Sequence, residues 1–257
     1  MVNNTRKYVL TGLMTALVLC LTYFIKVPVP YTSGYIHLGD SMIYLSVMIL
    51  GPYYGAFASG VGSMLADLMG GYVHYAIPTL VIKSLMALCM GFILNSRSKK
   101  GALASVGASM VVWAVFCAGA ILNLKSSIRA SGTGKILEAV LEPGADAEAI
   151  AGMESKLSNL PLYLILGIAA SILVLAVAAW FLSRKSGSDF FGVKAIIGMT
   201  AAGMCMVMGY FIVESFMYGP IPATFSIPPN LLQFFGGVLL AGILAPAIRK
   251  AGIARQS

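Results

Sequence analysis

Six stretches of this chain, residues 8–25, 78–94, 103–122, 160–182, 193–218 and 231–248, are long, apolar and nearly uncharged. A helix needs about 20 such residues, at 1.5 Å rise each, to cross the hydrocarbon core of a bilayer. Composition agrees with that reading. Hydrophobic residues make up 59% of the 257 and charged ones 10%, against about 25% charged in a soluble domain. A soluble enzyme, a disordered regulator and a secreted disulfide scaffold are all excluded on these grounds.

Residues 39–70 are also apolar, but Gly51-Pro52 interrupts them. Proline breaks a helix by removing a donor and clashing with the preceding turn. Two short helices are therefore expected, over 39–50 and 53–69, which raises the count to eight spans. Charge placement tests that count. Basic clusters lie at Arg6/Lys7, Arg97/Lys99/Lys100, Arg184/Lys185/Lys194 and Arg249/Lys250/Arg255, eleven of the seventeen Lys and Arg. With eight spans and both termini inside, all four clusters face the cytoplasm, as the positive-inside rule requires. Merging 39–69 into one span would move Arg6 and Lys7 outside. The net charge of +8 is thereby read as topological, with no nucleic-acid partner. The run 8–25 is longer than a signal-peptide core and is expected to be a retained first helix.

The outer side then receives residues 26–38, 71–77, 123–159 and 219–230. The third of these is polar and is expected to hold two short helices, over 134–141 and 145–157, separated at Pro143-Gly144. Its Gly132-Thr-Gly-Lys135 has the wrong spacing for a phosphate loop, and the chain has no Walker A motif.

Ionisable groups inside a bilayer cost about 2.5–3.5 kcal/mol each, so their positions carry information. Asp40 opens the second span, where it could also cap the helix. Asp67 lies three residues before Gly70-Gly71. Lys83 is five residues into the fourth span, roughly 7 Å below its outer end, where it could pair with Asp67 or Glu214. Glu214 is four residues before Tyr218, and Asn230 and Gln233 share a face at the start of the eighth span. All are expected in the outer third of the membrane. Tyr35, His37, His74 and Tyr75 would lie in loops just above. Such a pocket suits a small polar ring compound. No metal-ligand spacing or catalytic constellation is present, so no metal, cofactor or enzymatic role is expected.

Small residues form two stripes. Gly12, Ala16 and Cys20 recur every four residues on the first span, a face that admits another helix, from this protein or from a partner. Gly55, Ser59, Ser63 and Asp67 form the other, read as internal packing. The remaining cysteines, Cys89, Cys117 and Cys205, are read with Cys20 as small packing residues.

Six ordered segments carry a resemblance. They are Gly34-Tyr-Ile-His-Leu-Gly-Asp40, Leu50-Gly-Pro-Tyr-Tyr-Gly55, Gly62-Ser-Met-Leu-Ala-Asp67, Pro78-Thr-Leu-Val-Ile-Lys83, Gly209-Tyr-Phe-Ile-Val-Glu214 and Pro229-Asn-Leu-Leu-Gln233. Together they resemble the substrate-binding S components of energy-coupling factor (ECF) vitamin transporters. The likeness is to the riboflavin-transporter-type branch, which includes proteins for hydroxymethylpyrimidine and pyridoxine, and it covers about 5–95 and 190–250. The resemblance implies an all-α polytopic membrane protein with a six-helix core, here residues 1–100 and 184–257. Residues 101–183 would be an inserted pair of transmembrane helices. It also implies capture of a vitamin or precursor from outside a bacterial cytoplasmic membrane. Docking on a transmembrane coupling protein and two cytoplasmic ATPases would follow, with ATP hydrolysis toppling the subunit. Gly12, Ala16 and Cys20 stand where the family's small-residue motif meets the coupling protein. The rival readings are a proton- or sodium-coupled secondary transporter, disfavoured by the lack of an internal repeat, and a membrane enzyme.

Overall fold

The computed structural model describes residues 4–29, 34–96, 99–141, 147–184 and 192–250. Nearly all of them are helical. The order is α1 (Asn4–Phe24), β1 (Lys26–Pro28), β2 (Tyr35–His37), α2 (Asp40–Leu50), α3 (Pro52–Met69), α4 (Val73–Asn95), α5 (Lys99–Val140), α6 (Ala147–Arg184), α7 (Val193–Met217) and α8 (Pro220–Lys250).

The short helix α2 is the centre of the molecule. All eleven of its residues are buried, and α1, α3, α4 and α8 pack around it. A helix apolar on every side must be enclosed on every side. At 1.5 Å per residue it reaches about 16 Å, roughly half of a hydrocarbon core. Its break from α3 falls at Gly51-Pro52, as expected. Gly51 takes φ 80°, a conformation that favours glycine, and Pro52 occupies the first turn of α3, where its missing N–H costs nothing. The stripe Gly55, Ser59, Ser63, Asp67 is buried. Gly55 faces Val47 and Ser59 Oγ lies 3.3 Å from Ser46 Oγ, so it is a packing face between α3 and α2.

Among the described residues, four helices are long and apolar enough to cross a membrane: α1, α4, most of α7 and most of α8. Their outward faces carry Leu13, Val81, Leu85, Phe92, Ile212, Phe216, Leu239 and Ile243, all exposed. An apolar surface that extensive fits lipid and not water, and the chain is a multi-pass membrane protein.

The structure corrects several boundaries. Residues 26–37 are not plain loop: β1 and β2 form a two-stranded antiparallel ribbon, with Val27 opposite Ile36. Helix α4 begins at Val73, so His74 and Tyr75 lie on a helix, and Pro78 sits inside it. Helix α8 begins at Pro220, ten residues before Asn230. Prolines 228 and 229 lie inside it. Non-helical Gly132, at φ 73° and ψ 157°, divides α5 in two, and the piece after it, to Val140, is the short helix expected over 134–141; the one expected over 145–157 is instead the start of α6. Pro143-Gly144 lies outside the described residues.

Helices α5 and α6 pack against each other as a hairpin. Among the described residues, Trp113, Cys117, Ala120, Leu124 and Leu137 are buried on α5, and Met153, Leu157, Leu160 and Leu164 on α6. The hairpin joins the bundle through Phe116 against Phe211, rings 5.2 Å apart, and through Gly167 against Leu231. From Phe116, α5 runs on to its break at Gly132, roughly 24 Å further.

One close approach is testable. A Cβ at Gly91 would stand 2.5 Å from Pro52 Cβ and 2.6 Å from Pro52 Cα, whereas nothing lies within 4 Å of Gly12. Gly91→Val should cost about 1–3 kcal/mol by overpacking and lower the unfolding temperature in detergent by several degrees. Gly12→Ala should lower it not at all, since alanine favours the helix.

Candidate functional site

Helical spacing builds two stripes that face each other. Tyr75, Thr79 and Lys83 repeat every four residues on α4, and Met206, Tyr210 and Glu214 do so on α7. The ribbon β1–β2 lies above α2, and α8 closes the remaining side with Asn230 and Gln233. These elements hold two polar layers at different depths.

The lower layer is an ion pair. Lys83 Nζ donates to Asp40 Oδ1 at 2.5 Å, and both side chains are 0% exposed. Gln233 Nε2 donates to Asp40 Oδ2 at 2.8 Å. Met206 Sδ receives Lys83 Nζ at 3.1 Å and Gln233 Nε2 at 3.2 Å. Every oxygen of Asp40 is thus engaged, which is the condition under which a buried charge is tolerable. Asp40 stands at the first turn of α2 but makes no capping bond there. The expectation that Lys83 pairs with Asp67 or Glu214 is corrected: its partner is Asp40. Its depth is corrected too. Because α4 starts at Val73, Lys83 is ten residues in, about 15 Å, near the middle of that helix and not in its outer third.

Gln233 links this layer to the ribbon, its Oε1 accepting the His37 backbone N–H at 2.9 Å. His37 Nδ1 accepts the Gly39 N–H at 3.0 Å, so the imidazole proton resides on Nε2. Burial first, then the positive charge of Lys83, push the His37 pKa down to about 3. The ring is neutral throughout the physiological range.

The upper layer is a narrow, partly open cleft lined by Tyr35, His37, Asp67, Tyr75, Thr79, Tyr210, Glu214, Asn230 and Gln233, with Val29 and Gly34 beside the ribbon. Tyr35 donates its hydroxyl to Asp67 Oδ1 at 2.6 Å, and Tyr75 donates to Glu214 Oε1 at 3.1 Å. Burial, and then the Asp67 charge, push the Tyr35 pKa up, so it remains a donor. The hydroxyls of Thr79 and Tyr210 are 3.2 Å apart. Asp67 Oδ2 and Glu214 Oε2 are buried without a hydrogen-bond partner.

Of the ten candidate residues, Tyr35, His37, Asp67, Tyr75, Glu214, Asn230 and Gln233 line this cleft. Asp40 and Lys83 form its floor. His74 is exposed, its ring 4.9 Å from that of Tyr75, and it does not line the cleft. Four lining residues escaped the sequence reading: Val29 and Gly34 beside the ribbon, and two with hydroxyls, Thr79 and Tyr210. Both sit four residues from a residue that was chosen, Thr79 from Tyr75 and Lys83, Tyr210 from Glu214, so the helical period was the available signal. On α1, Gly12, Ala16 and Cys20 are all exposed: this face packs against nothing within the chain.

A sequence model of the family described as "ECF-type riboflavin transporter, S component" matches residues 2–166. Among curated proteins, the chain is 40% identical over 80 residues to a Pyrococcus woesei protein described as "Uncharacterized protein in gap 3'region". That match covers 31% of this chain and about half, 53%, of the relative. It is 28% identical over 148 residues to "Thiamine precursor transporter HmpT" of Lactococcus lactis subsp. cremoris, covering 54% of this chain and 89% of the relative. No solved structure matches the chain.

The floor predicts a sharp asymmetry. Lys83→Met leaves Asp40 buried without its cation and should cost about 3–5 kcal/mol, whereas replacing both partners by apolar residues should be far milder. Thermal unfolding of Lys83→Met and of Lys83→Met/Asp40→Leu in detergent measures it, with the double variant expected to recover most of the loss.

Proposed function

The chain belongs to the ECF-type riboflavin transporter S component family, and from that premise we propose that it captures a water-soluble vitamin or vitamin precursor at the outer face of a bacterial cytoplasmic membrane. The observation that carries this reading is the cleft. In a chain with so few charges, two carboxylates, an imidazole, two amides and three tyrosines line one opening, and a sealed ion pair closes it below. Pockets for small polar ring compounds combine aromatic walls with a few convergent polar groups. The ligand-contacting residues in this reading are Tyr35, His37, Asp67, Tyr75, Glu214, Asn230 and Gln233, joined by Thr79 and Tyr210. Asp40 and Lys83 hold the floor in place.

The ligand class follows the Lactococcus relative, which is named for a thiamine precursor. Hydroxymethylpyrimidine, pyridoxine or a related heteroaromatic is the cargo proposed. The protein performs no covalent chemistry. Energy comes from a coupling protein and two cytoplasmic ATPases, on which the subunit docks and reorients. The exposed stripe Gly12, Ala16, Cys20 is the face offered to the coupling protein, because small side chains let a partner helix approach closely. The topology proposed is eight passes with both termini in the cytoplasm, which keeps the basic clusters inside. Within it, α5 and α6 are an insertion into a six-helix core.

Two measurements test this. Purified protein should bind its ligand without ATP, while uptake in cells should require the coupling protein and both ATPases. Uptake driven by a pH or sodium gradient alone would instead identify a secondary carrier, with the buried Asp40–Lys83 pair as its candidate ion site. Ala16→Leu should abolish co-purification with the coupling protein and leave ligand binding within about twofold of wild type.

A further inference from the structure

Among the described residues, none on α5 or α6 lines the cleft. Both helices nevertheless pack on α7 and α8, the two that supply Tyr210, Glu214, Asn230 and Gln233 to its lining. Two contacts fall level with those residues. On α7, Phe211 follows Tyr210 directly, and its ring meets that of Phe116 edge-on, centroids 5.2 Å apart and planes at 81°. Behind Phe116 stands Trp113, stacked on it at 5.3 Å and 27° and fully buried. On α8, Leu231 follows Asn230 directly. A Cβ at Gly167 would stand 2.5 Å from Leu231 Cδ1, so the backbone of α6 lies against that side chain, which is itself buried.

Neither Phe211 nor Leu231 lines the cleft. Successive residues point about 100° apart around a helix, so each contact bears on the flank of a wall helix while the neighbouring residue faces the opening. Close-packed interiors transmit displacement. A shift of α5 against Phe211 therefore moves Tyr210, whose hydroxyl lies 3.2 Å from that of Thr79. A shift of α6 against Leu231 moves Asn230 and Gln233.

We infer that the hairpin α5–α6 is a buttress for the α7–α8 wall of the cleft, with Phe116 and Gly167 as positioning residues for ligand capture. They act through Phe211 and Leu231 and touch no ligand themselves. A site whose support is loosened must be ordered again each time it binds, and it loses affinity without losing a contact. This inference rests on the reading of the cleft as a capture site and gives α5 and α6 a task in it.

Calorimetry on the purified full chain in detergent tests it, with hydroxymethylpyrimidine, pyridoxine and riboflavin titrated separately and whichever binds carried to the variants. Phe116→Ala should weaken binding at least about fivefold, and Phe116→Leu, which keeps bulk against Phe211, should stay within about twofold of wild type. Gly167→Val should weaken binding by a similar factor, and Gly167→Val/Leu231→Ala, which returns the volume, should recover most of it. The Gly167 pair opens no cavity on α5 and decides the matter if Phe116→Ala does not fold. Gly91→Val is the control: it destabilises the bundle at Pro52, away from these contacts, and should leave affinity within about twofold of wild type. If Phe116→Ala and Gly167→Val bind as wild type does, the buttress is overturned while capture stands. The same follows if Gly91→Val weakens binding as much as they do, since the effect is then a general loss of stability. If none of the three compounds binds the wild-type chain, the capture reading fails and the buttress with it.

Discussion

The contact between Lys83 and Asp40 organises this molecule. It joins α4 to the buried helix α2, and through Gln233 and Met206 it draws in α8 and α7. An unpaired charge at that depth would be intolerable, so the four helices have one arrangement in which the pair is complete. That constraint explains why α2 can be so short. It need not face lipid at either end, because its neighbours enclose it and its single charge is neutralised by one of them.

The pair also separates two kinds of charge. Asp40 and Lys83 neutralise each other with every oxygen of Asp40 engaged, and they are remote from water. Asp67 and Glu214, nearer the C-terminal ends of α3 and α7, each accept a bond from a tyrosine. The first pair spends its electrostatics on the fold. The second pair lines the cleft.

The sequence made much of this legible, for identifiable reasons. Helices α1, α2, α3 and α7 lie close to where apolar runs and Gly51-Pro52 put them, because hydrophobic length and a helix breaker are local signals. The starts of α4 and α8 were not legible. Proline reads as a boundary, yet Pro78, Pro228 and Pro229 sit inside helices. That error displaced Lys83 upward and hid its true partner, since depth was counted from the wrong end. The ribbon β1–β2 was missed because three-residue strands interrupted by proline carry almost no periodic signal. The cleft residues themselves were found by asking which polar groups the bilayer would penalise.

The hairpin α5–α6 has a mechanical consequence. Its far part carries Lys125, Arg129, Glu148, Glu154 and Lys156, all exposed. Drawing those five side chains into hydrocarbon would cost upwards of about 12 kcal/mol. In the topology proposed, a tilt of the bundle in the bilayer must therefore swing about an axis that leaves this arm in water. The arm acts as an outrigger: it leaves the bundle free to lean in one direction and braces it against leaning in the other.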